Sequence, residues 1–322
     1  MRRLRMAVVG VGFWGRNHVR VLSELPNVEL VAVCDIDRQR ADEVSQKYGL
    51  RSYSESAEMY RREEIDAVTI CVWSSRLAKE ALVALKHGKH VLVEKPMASS
   101  VKEARRLLKI AESEKLKLSV GFIERFNPGV RRVKEAIEGG LIGSPVLATA
   151  RRVSRWPQRI GDVGVIKDTA IHDIDIMRFI FGEEPIAVYA KAGSLQHERI
   201  EDYAQIMLSF PSNRAAFLEA NWLTPYKIRK LTITGSEAII SLDYITQEIT
   251  IETQKQTITP RHEWEEPLKI EIQHFVDCIL NDKEPIVSGI DGIKALEIAE
   301  AALRSAAKGC IVKLKLGANE RC

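Results

Sequence analysis

Along the first third of the chain, short runs of consecutive apolar residues alternate with stretches in which apolar positions recur every third or fourth residue. Leu4 to Val9, Val28 to Cys34, Ala67 to Val72, His90 to Val93 and Leu116 to Val120 are runs of the first kind. Their nearly continuous hydrophobicity predicts strands buried on both faces, as in a parallel sheet. Gly15 to Leu25, Asp37 to Tyr48, Arg76 to Lys86 and Ser100 to Glu114 have helical spacing. Ser100 and Glu103 form a capping box for the last of these, and Gly88 closes the third. Strand and helix in regular alternation predict a doubly wound α/β unit.

Beyond Gly121 the rhythm changes. A helix (Pro128 to Glu138), a strand (Val146 to Val153) and a second helix (Asp168 to Phe181) precede a series of strand patterns: Ala187 to Ala192, Tyr203 to Phe210, Ala215 to Asn221, Lys230 to Thr234, Ala238 to Leu242 and Glu248 to Glu252. Pro211, Ser212, Asn213 and Gly235 punctuate them at hairpin spacing, which predicts a large, mostly antiparallel open sheet in an α+β domain. Two helices, Glu271 to Leu280 and Gly289 to Ala307, finish the pattern. The expected division is therefore 1–121 and 122–322, in keeping with a length of 322 residues and about 150 residues per domain.

Composition narrows the class. With 45% hydrophobic and 29% charged residues, the chain is neither disordered nor fibrous. Its 48 basic and 44 acidic residues leave a net charge of +4, which argues against a nucleic-acid partner. Cys34, Cys71, Cys278, Cys310 and Cys322 are scattered without CxxC spacing, so neither a disulfide framework nor a metal site is expected. The apolar stretch after the basic Met1 to Arg5 lacks a small-residue cleavage site, and no apolar run reaches the roughly 18 residues that span a bilayer. A cytoplasmic protein with no membrane partner is expected. The densest basic patch of the second half is Arg151, Arg152, Arg155 and Arg159, interleaved with Trp156.

Gly10-Val11-Gly12-Phe13-Trp14-Gly15 follows the first strand and opens the first helix. A dinucleotide needs that arrangement: one glycine for the tight turn, one for backbone approach to the pyrophosphate, and one for helix packing on the strand. The helix N-terminus adds unpaired N–H groups and partial positive charge. Asp35 stands 20 residues after Gly15, at the end of the second strand, where a carboxylate accepts hydrogen bonds from ribose hydroxyls. NAD is the expected cofactor, because the phosphate of NADP would meet Asp35 and Asp37, with only Arg38 to offset them.

Glu94-Lys95-Pro96 ends the fourth predicted strand, on the edge of the sheet where ligands bind. A lysine there stabilises an alkoxide as hydride leaves, with Glu94 holding its ammonium. Asp168 and His172 are spaced i, i+4 on a very apolar helix, with Asp175 near the same line. A polar stripe on a buried helix is either paired inside the protein or faces a site. Cofactor loop, lysine and His/Asp pair together supply what oxidation of a hydroxyl requires. His172 is assigned as the base because imidazole titrates near neutrality, Asp168 as the group that orients the sugar or the imidazole, and Lys95 as the electrostatic stabiliser. Exchange of the His172 and Lys95 roles is the main alternative.

The glycine loop, Asp35, the stretch Gly88 to Pro96 and the Asp168/His172 spacing resemble the glucose-fructose oxidoreductase, inositol dehydrogenase and rhizopine-catabolism family over the whole chain. The resemblance implies a Rossmann domain and an open-sheet domain, oxidation or reduction of a sugar or cyclitol hydroxyl, and a homodimer or homotetramer joined through that sheet. Cofactor contacts would then come from Gly10, Gly12, Phe13, Trp14, Gly15, Asp35, Val72, Trp73, Glu94 and Lys95. The sequence departs from the family pattern at Val72-Trp73-Ser74, where Thr-Pro-Asn is usual, at Leu77, where histidine is common, and at Gly164 to Lys167, which lacks a glycine pair. Ile123 to Pro128 and Asp162 to Asp175 resemble the UDP-N-acetylglucosamine 3-dehydrogenases of that family, which oxidise C3 to a 3-keto sugar with NAD. In that reading Arg155 and Arg159 clamp the diphosphate, and Arg125 and Asn127 lie near the sugar. Free sugars or inositols are the alternative substrates, and a catalytically silent NAD-binding regulator is the alternative function.

Overall fold

The apolar runs of the first third form one parallel sheet. In chain order its elements are β1 (Leu4–Val9), α1 (Gly15–Glu24), β2 (Val28–Cys34), α2 (Arg38–Tyr48), β3 (Arg51–Tyr53), α3 (Ser56–Arg62), β4 (Ala67–Ile70), α4 (Ser74–Lys86), β5 (His90–Val93), α5 (Val101–Ser113) and β6 (Leu118–Val120). The strand order β3-β2-β1-β4-β5-β6 reverses direction between β1 and β4, which is the switch point where such sheets open a crevice at their carboxyl ends. The sequence pattern does not contain β3 and α3, a three-residue strand and a seven-residue helix too short to develop a period.

The second sheet is larger. After α6 (Pro128–Glu138) come β7 (Pro145–Arg155), a π turn (Ile166–Ala170) running into α7 (Ile171–Phe181), then β8 (Ala187–Gly193), β9 (Tyr203–Ser209), β10 (Ala215–Asn221), β11 (Leu223–Gly235), β12 (Ala238–Asp243), β13 (Ile249–Thr253) and β14 (Thr257–Ile258). The order is β14-β13-β12-β11-β7-β10-β9-β8-β15, closed by β15 (Val312–Lys313). Every pair is antiparallel except β7 with β10. One face is buried, through Ala148, Ala150, Ile206, Leu218, Leu231 and Ile240. The other leaves Leu147, Tyr189, Phe217 and Ile239 exposed, Phe217 by 51%.

The computed structural model describes residues 3–156 and 162–314. They divide into two units: one runs up to Ile123 and takes in Glu266–Lys294, the other holds Glu124–Glu265 and the residues from Ala295 onward. The chain thus changes unit close to the expected boundary at Gly121, but Glu266–Lys294 returns to the first unit, which a linear division at 121/122 does not include. The cause is burial. Helix α8 (Pro267–Leu280) places Leu268, Ile272, Phe275 and Val276 in the same core cluster as Val19 and Leu22 of α1. Helix α9 (Gly289–Lys308) follows it. Among the described residues, no helix is long and apolar enough to cross a membrane.

Candidate active site

In the first unit, the singled-out residues gather where the strands end. Gly10 leaves β1 with φ of +85°, and a Cβ there would stand 2.7 Å from the Cys71 backbone carbon. A Cβ on Gly15 would meet the Gly10 carbonyl oxygen at 1.8 Å. Gly12, between them, has nothing within 4 Å of a built Cβ, so the loop leaves open space where a pyrophosphate approaches the backbone. Asp35 is only 6% exposed. It accepts the Val11 N–H at 2.8 Å and the Asp37 N–H at 2.9 Å, which fixes its carboxylate at the end of β2. Its cationic neighbour is Arg40, at 3.2 Å, whereas Arg38 turns outward to Asp42. A glycine turn, free space and a fixed acid together fit a dinucleotide.

Two neighbours in the loop differ from each other. Phe13 is 75% exposed, while the Trp14 indole donates to Glu94 Oε1 at 2.7 Å. Glu94 is buried and also meets His18 Nε2 at 3.3 Å and the Lys95 backbone N–H at 3.2 Å. Burial alone would raise its carboxyl; the His18 ring, the Lys95 charge and the Trp14 hydrogen bond hold it below the usual carboxylate range. Lys95 therefore follows a carboxylate that is itself fixed from three sides, and the Lys95-Pro96 bond is cis. Gly121 belongs to this arrangement, because a Cβ there would come within 2.9 Å of the Glu94 carboxylate. The motif reading does not contain His18 or Gly121. Their signal is positional: His18 is a polar residue on the buried stripe of α1 with Val19, Val21 and Leu22, and Gly121 directly follows β6. Val72 and Trp73 lie between β4 and α4, where Trp73 is 56% exposed.

In the second unit, Asp168 sits in the π turn and His172 in the first turn of α7, so the predicted single helix has a π segment at its start. Such segments often mark functional positions. Asp168, 5% exposed, accepts the Thr169 hydroxyl at 3.0 Å, and that hydroxyl accepts the Trp222 indole N–H at 3.0 Å. Trp222 is packed edge-on to Trp156, which stacks on His197. The turn is propped by Glu201, whose carboxylate accepts the Ile166 N–H at 3.1 Å and is pushed up by burial. His172 is half-buried.

Burial and charge pairing set the places of the arginines singled out in the sequence. Arg125 is buried against Asp175, with Nε at 2.7 Å from the carboxylate, and its guanidinium lies over the Phe179 ring, so it joins α7 to the chain before α6. Asn127 caps α6 by accepting the Gly129 N–H and donates to Glu124 and to the Tyr244 carbonyl. Both have structural partners within the second unit. Arg151, Arg152 and Arg155 differ in their surroundings. Arg151 turns to the open face and pairs with Glu219, whereas Arg152 is buried. Arg155 is exposed at the end of β7, and Arg159 lies outside the described residues. Strand alternation separates what the sequence set side by side.

Arg152 is the centre of a network absent from the sequence reading. It holds Asp173 through two hydrogen bonds of 2.9 and 3.0 Å and Glu124 through one of 2.8 Å, beneath the Tyr244 ring. Burial opposes the Arg152 charge, but Asp173 and Glu124 raise its pKa well above the usual value. Burial likewise opposes the Glu124 carboxylate, yet Arg152 and Arg229 hold it below its usual range. Arg229 reaches Glu124 only at 3.4 Å, and its pKa is lowered by burial and by Arg152. The available signal was an arginine at an inward-facing position of a strand, after Ala148 and Ala150.

Comparison with known proteins decides the family. Residues 4–122 match the oxidoreductase family with NAD-binding Rossmann fold, and residues 130–241 match the GFO/IDH/MocA C-terminal domain. The chain is 32% identical to the scyllo-inositol 2-dehydrogenase (NAD(+)) of Bacillus subtilis over 97% of this chain and 96% of that protein. This protein belongs to the Gfo/Idh/MocA oxidoreductases. As a member of the Gfo/Idh/MocA family it is an NAD-dependent dehydrogenase acting on CH–OH groups. The inositol 2-dehydrogenase of Rhizobium meliloti is 30% identical over 95% of this chain and 97% of that protein. Among solved structures, UDP-N-acetylglucosamine 3-dehydrogenase GnnA from Acidithiobacillus ferrooxidans is similar, with a TM-score of 0.87 at 26% identity, covering 95% of this chain and 99% of that one.

Proposed function

We propose that this dehydrogenase oxidises the C3 hydroxyl of a UDP-linked N-acetylhexosamine, such as UDP-N-acetylglucosamine, to a 3-keto sugar. The observation that carries the reading is electrostatic. Of the cations on the strands beside Asp168, Arg152 is engaged by Glu124 and Asp173, whereas Lys227 makes no close ion pair among the described residues, and a cation available there suits an anionic substrate better than a neutral polyol. Residues 1–121 are proposed as the NAD-binding part and 122–322 as carrying the substrate residues. Gly10 to Gly15 and Asp35 would hold NAD, which would supply the hydride acceptor for the carbinol carbon. His172 removes the hydroxyl proton, Asp168 orients it, and the Lys95 ammonium stabilises the alkoxide.

The relatives at 32% and 30% identity favour a second reading, in which the substrate is an inositol or free sugar. NADH formation measured in parallel with UDP-N-acetylglucosamine, UDP-glucose and myo-inositol separates the two. Turnover of the UDP-sugar is expected; turnover of inositol alone overturns the proposal. The uncovered sheet face with Leu147, Tyr189, Phe217 and Ile239 is proposed to join copies into a homo-oligomer. Phe217→Asp should reduce the mass found by light scattering, and an unchanged mass sinks that assignment.

A further inference from the structure

β7 and β11 set like charges against each other. In their antiparallel register Arg229 lies opposite Arg152 and Ile228 opposite Val153, and the pairing then breaks, so that Thr224 to Lys227 bulge out before Leu223 pairs with Arg155. Like charges on directly opposed residues disfavour a sheet unless a counter-charge is shared. Here the acids are already engaged. Arg152 takes both oxygens of Asp173 and the nearer oxygen of Glu124, and Asn127 takes the other oxygen of Glu124. Arg229 is left with a 3.4 Å contact to Glu124, and Lys227 makes no hydrogen bond or ion pair among the described residues.

The same cations lie within reach of the reacting groups. Trp222, just before β11, is tied through Thr169 to Asp168, and Asp173, held by Arg152, is the neighbour of His172 in the chain. Burial lowers the Lys227 pKa, and the Arg229 charge and, more weakly, that of Arg152 add to it against Glu124. Arg229, which makes one 3.4 Å contact to Glu124 and feels Asp173 and Asp168 at longer range, and Lys227, which makes no close ion pair, together form a binding position for an oxyanion beside the proposed hydroxyl-oxidising centre.

We propose that Lys227 and Arg229 bind the phosphate oxygens of the substrate, forming the diphosphate clamp of a nucleotide-linked sugar. The clamp rests on the substrate reading above, and it moves that role from Arg155 and Arg159 to the bulge of β11. Lys227 supplies a mobile point charge and Arg229 a planar fork fixed by the strand.

UDP binding to the NAD-saturated protein, followed by calorimetry, tests the clamp without turnover. Lys227→Gln and Arg229→Gln should each weaken UDP by about tenfold, and Lys227→Arg should recover most of the affinity. NAD affinity should stay unchanged in all three. Lys230→Gln, on the opposite face of the same strand, should leave UDP binding as it is. The clamp is overturned if native protein does not bind UDP, if Lys227→Gln binds it normally, or if Lys230→Gln weakens it equally. Inorganic phosphate competing with UDP in native protein but not in Lys227→Gln would place the phosphate group itself at this position. A protein that binds UDP through Lys227 yet oxidises only inositol would end the substrate reading and leave the oxyanion position standing.

Discussion

The glycine loop after β1 and the ion network around Arg152 are both built for charge, but by different means. The loop recognises its ligand with backbone: a turn at Gly10, open space at Gly12, and close packing at Gly15. The network uses side chains from four segments, namely Glu124 before α6, Arg152 of β7, Asp173 of α7 and Arg229 of β11. Backbone recognition compresses into a few consecutive residues, because the chain itself is the binding surface. Side-chain recognition is spread over more than a hundred positions, because only folding brings the charges together. At Gly10 and Gly15 the loop has no room for an added atom, whereas the network tolerates almost no lost charge.

The largest expected effects concern the two proposed reacting groups. Lys95→Ala, in the first unit, and His172→Ala, in the second, should each lower kcat by about a thousandfold, within the range of about 10²–10⁴ typical of a positioned proton-transfer or charge-stabilising group. NAD affinity, followed by quenching of tryptophan fluorescence, should stay near normal. Near-normal turnover in His172→Ala would move the base to another residue.

Next come variants that contrast the two kinds of construction. Gly15→Ala sets a methyl against the Gly10 carbonyl oxygen, a backbone atom that cannot swing aside, so NAD binding should be lost together with about 1–3 kcal/mol of stability. Arg152→Ala leaves Glu124 and Asp173 buried with too little positive charge, and a loss of about 3–5 kcal/mol is expected. Denaturant titration with and without NAD separates them. Saturating NAD should raise the midpoint of the Arg152 variant but not of the Gly15 variant. An equal response in both would break the contrast.

This difference also explains what could be read from the chain alone. β1, β2 and β5, the loop, Asp35 and the Lys95 tripeptide follow from local pattern, since each depends on neighbours a few residues away. The partners of Arg125 and Asn127 do not, because Asp175 and Tyr244 are distant in sequence and nothing local marks an arginine as paired. Clustering of Arg151, Arg152 and Arg155 in sequence suggested a shared patch, but a strand turns adjacent residues to opposite faces, so Arg152 is buried while Arg151 is exposed. The return of α8 to the first core rests on Leu268, Ile272, Phe275 and Val276, apolar residues that would suit either unit.

A smaller effect sharpens the cofactor side. Asp35→Ser should weaken NAD by about tenfold, because a carboxylate accepting ribose hydroxyls is replaced by a single hydroxyl. Arg40, now within 3.2 Å of that carboxylate, would be released, so the ratio of NADP to NAD use should rise. Initial rates at varied NAD and NADP check both statements. Strong NADP use by the native protein would show that the acid does not govern the choice.

The smallest effect is the acid limb of stability. Glu94 in the loop region and Glu124 in the network both titrate below their ordinary value of 4.5 in the folded protein. A depressed carboxyl contributes stability that is fully present above the unfolded value and is lost as pH falls through the folded one. The contribution of both should therefore hold above pH 4.5 and decline below it. Glu124→Gln removes the part that depends on Arg152 and Arg229, and Glu94→Gln the part that depends on His18, Lys95 and Trp14. Each variant should be less stable than native protein near neutrality and should lose less stability on acidification. Because Glu124 faces two arginines, its variant should flatten the acid limb more than that of Glu94. Urea midpoints at intervals from pH 7 to pH 3 measure both slopes, and an unchanged slope in Glu124→Gln would mean that Arg152 is satisfied by Asp173 alone.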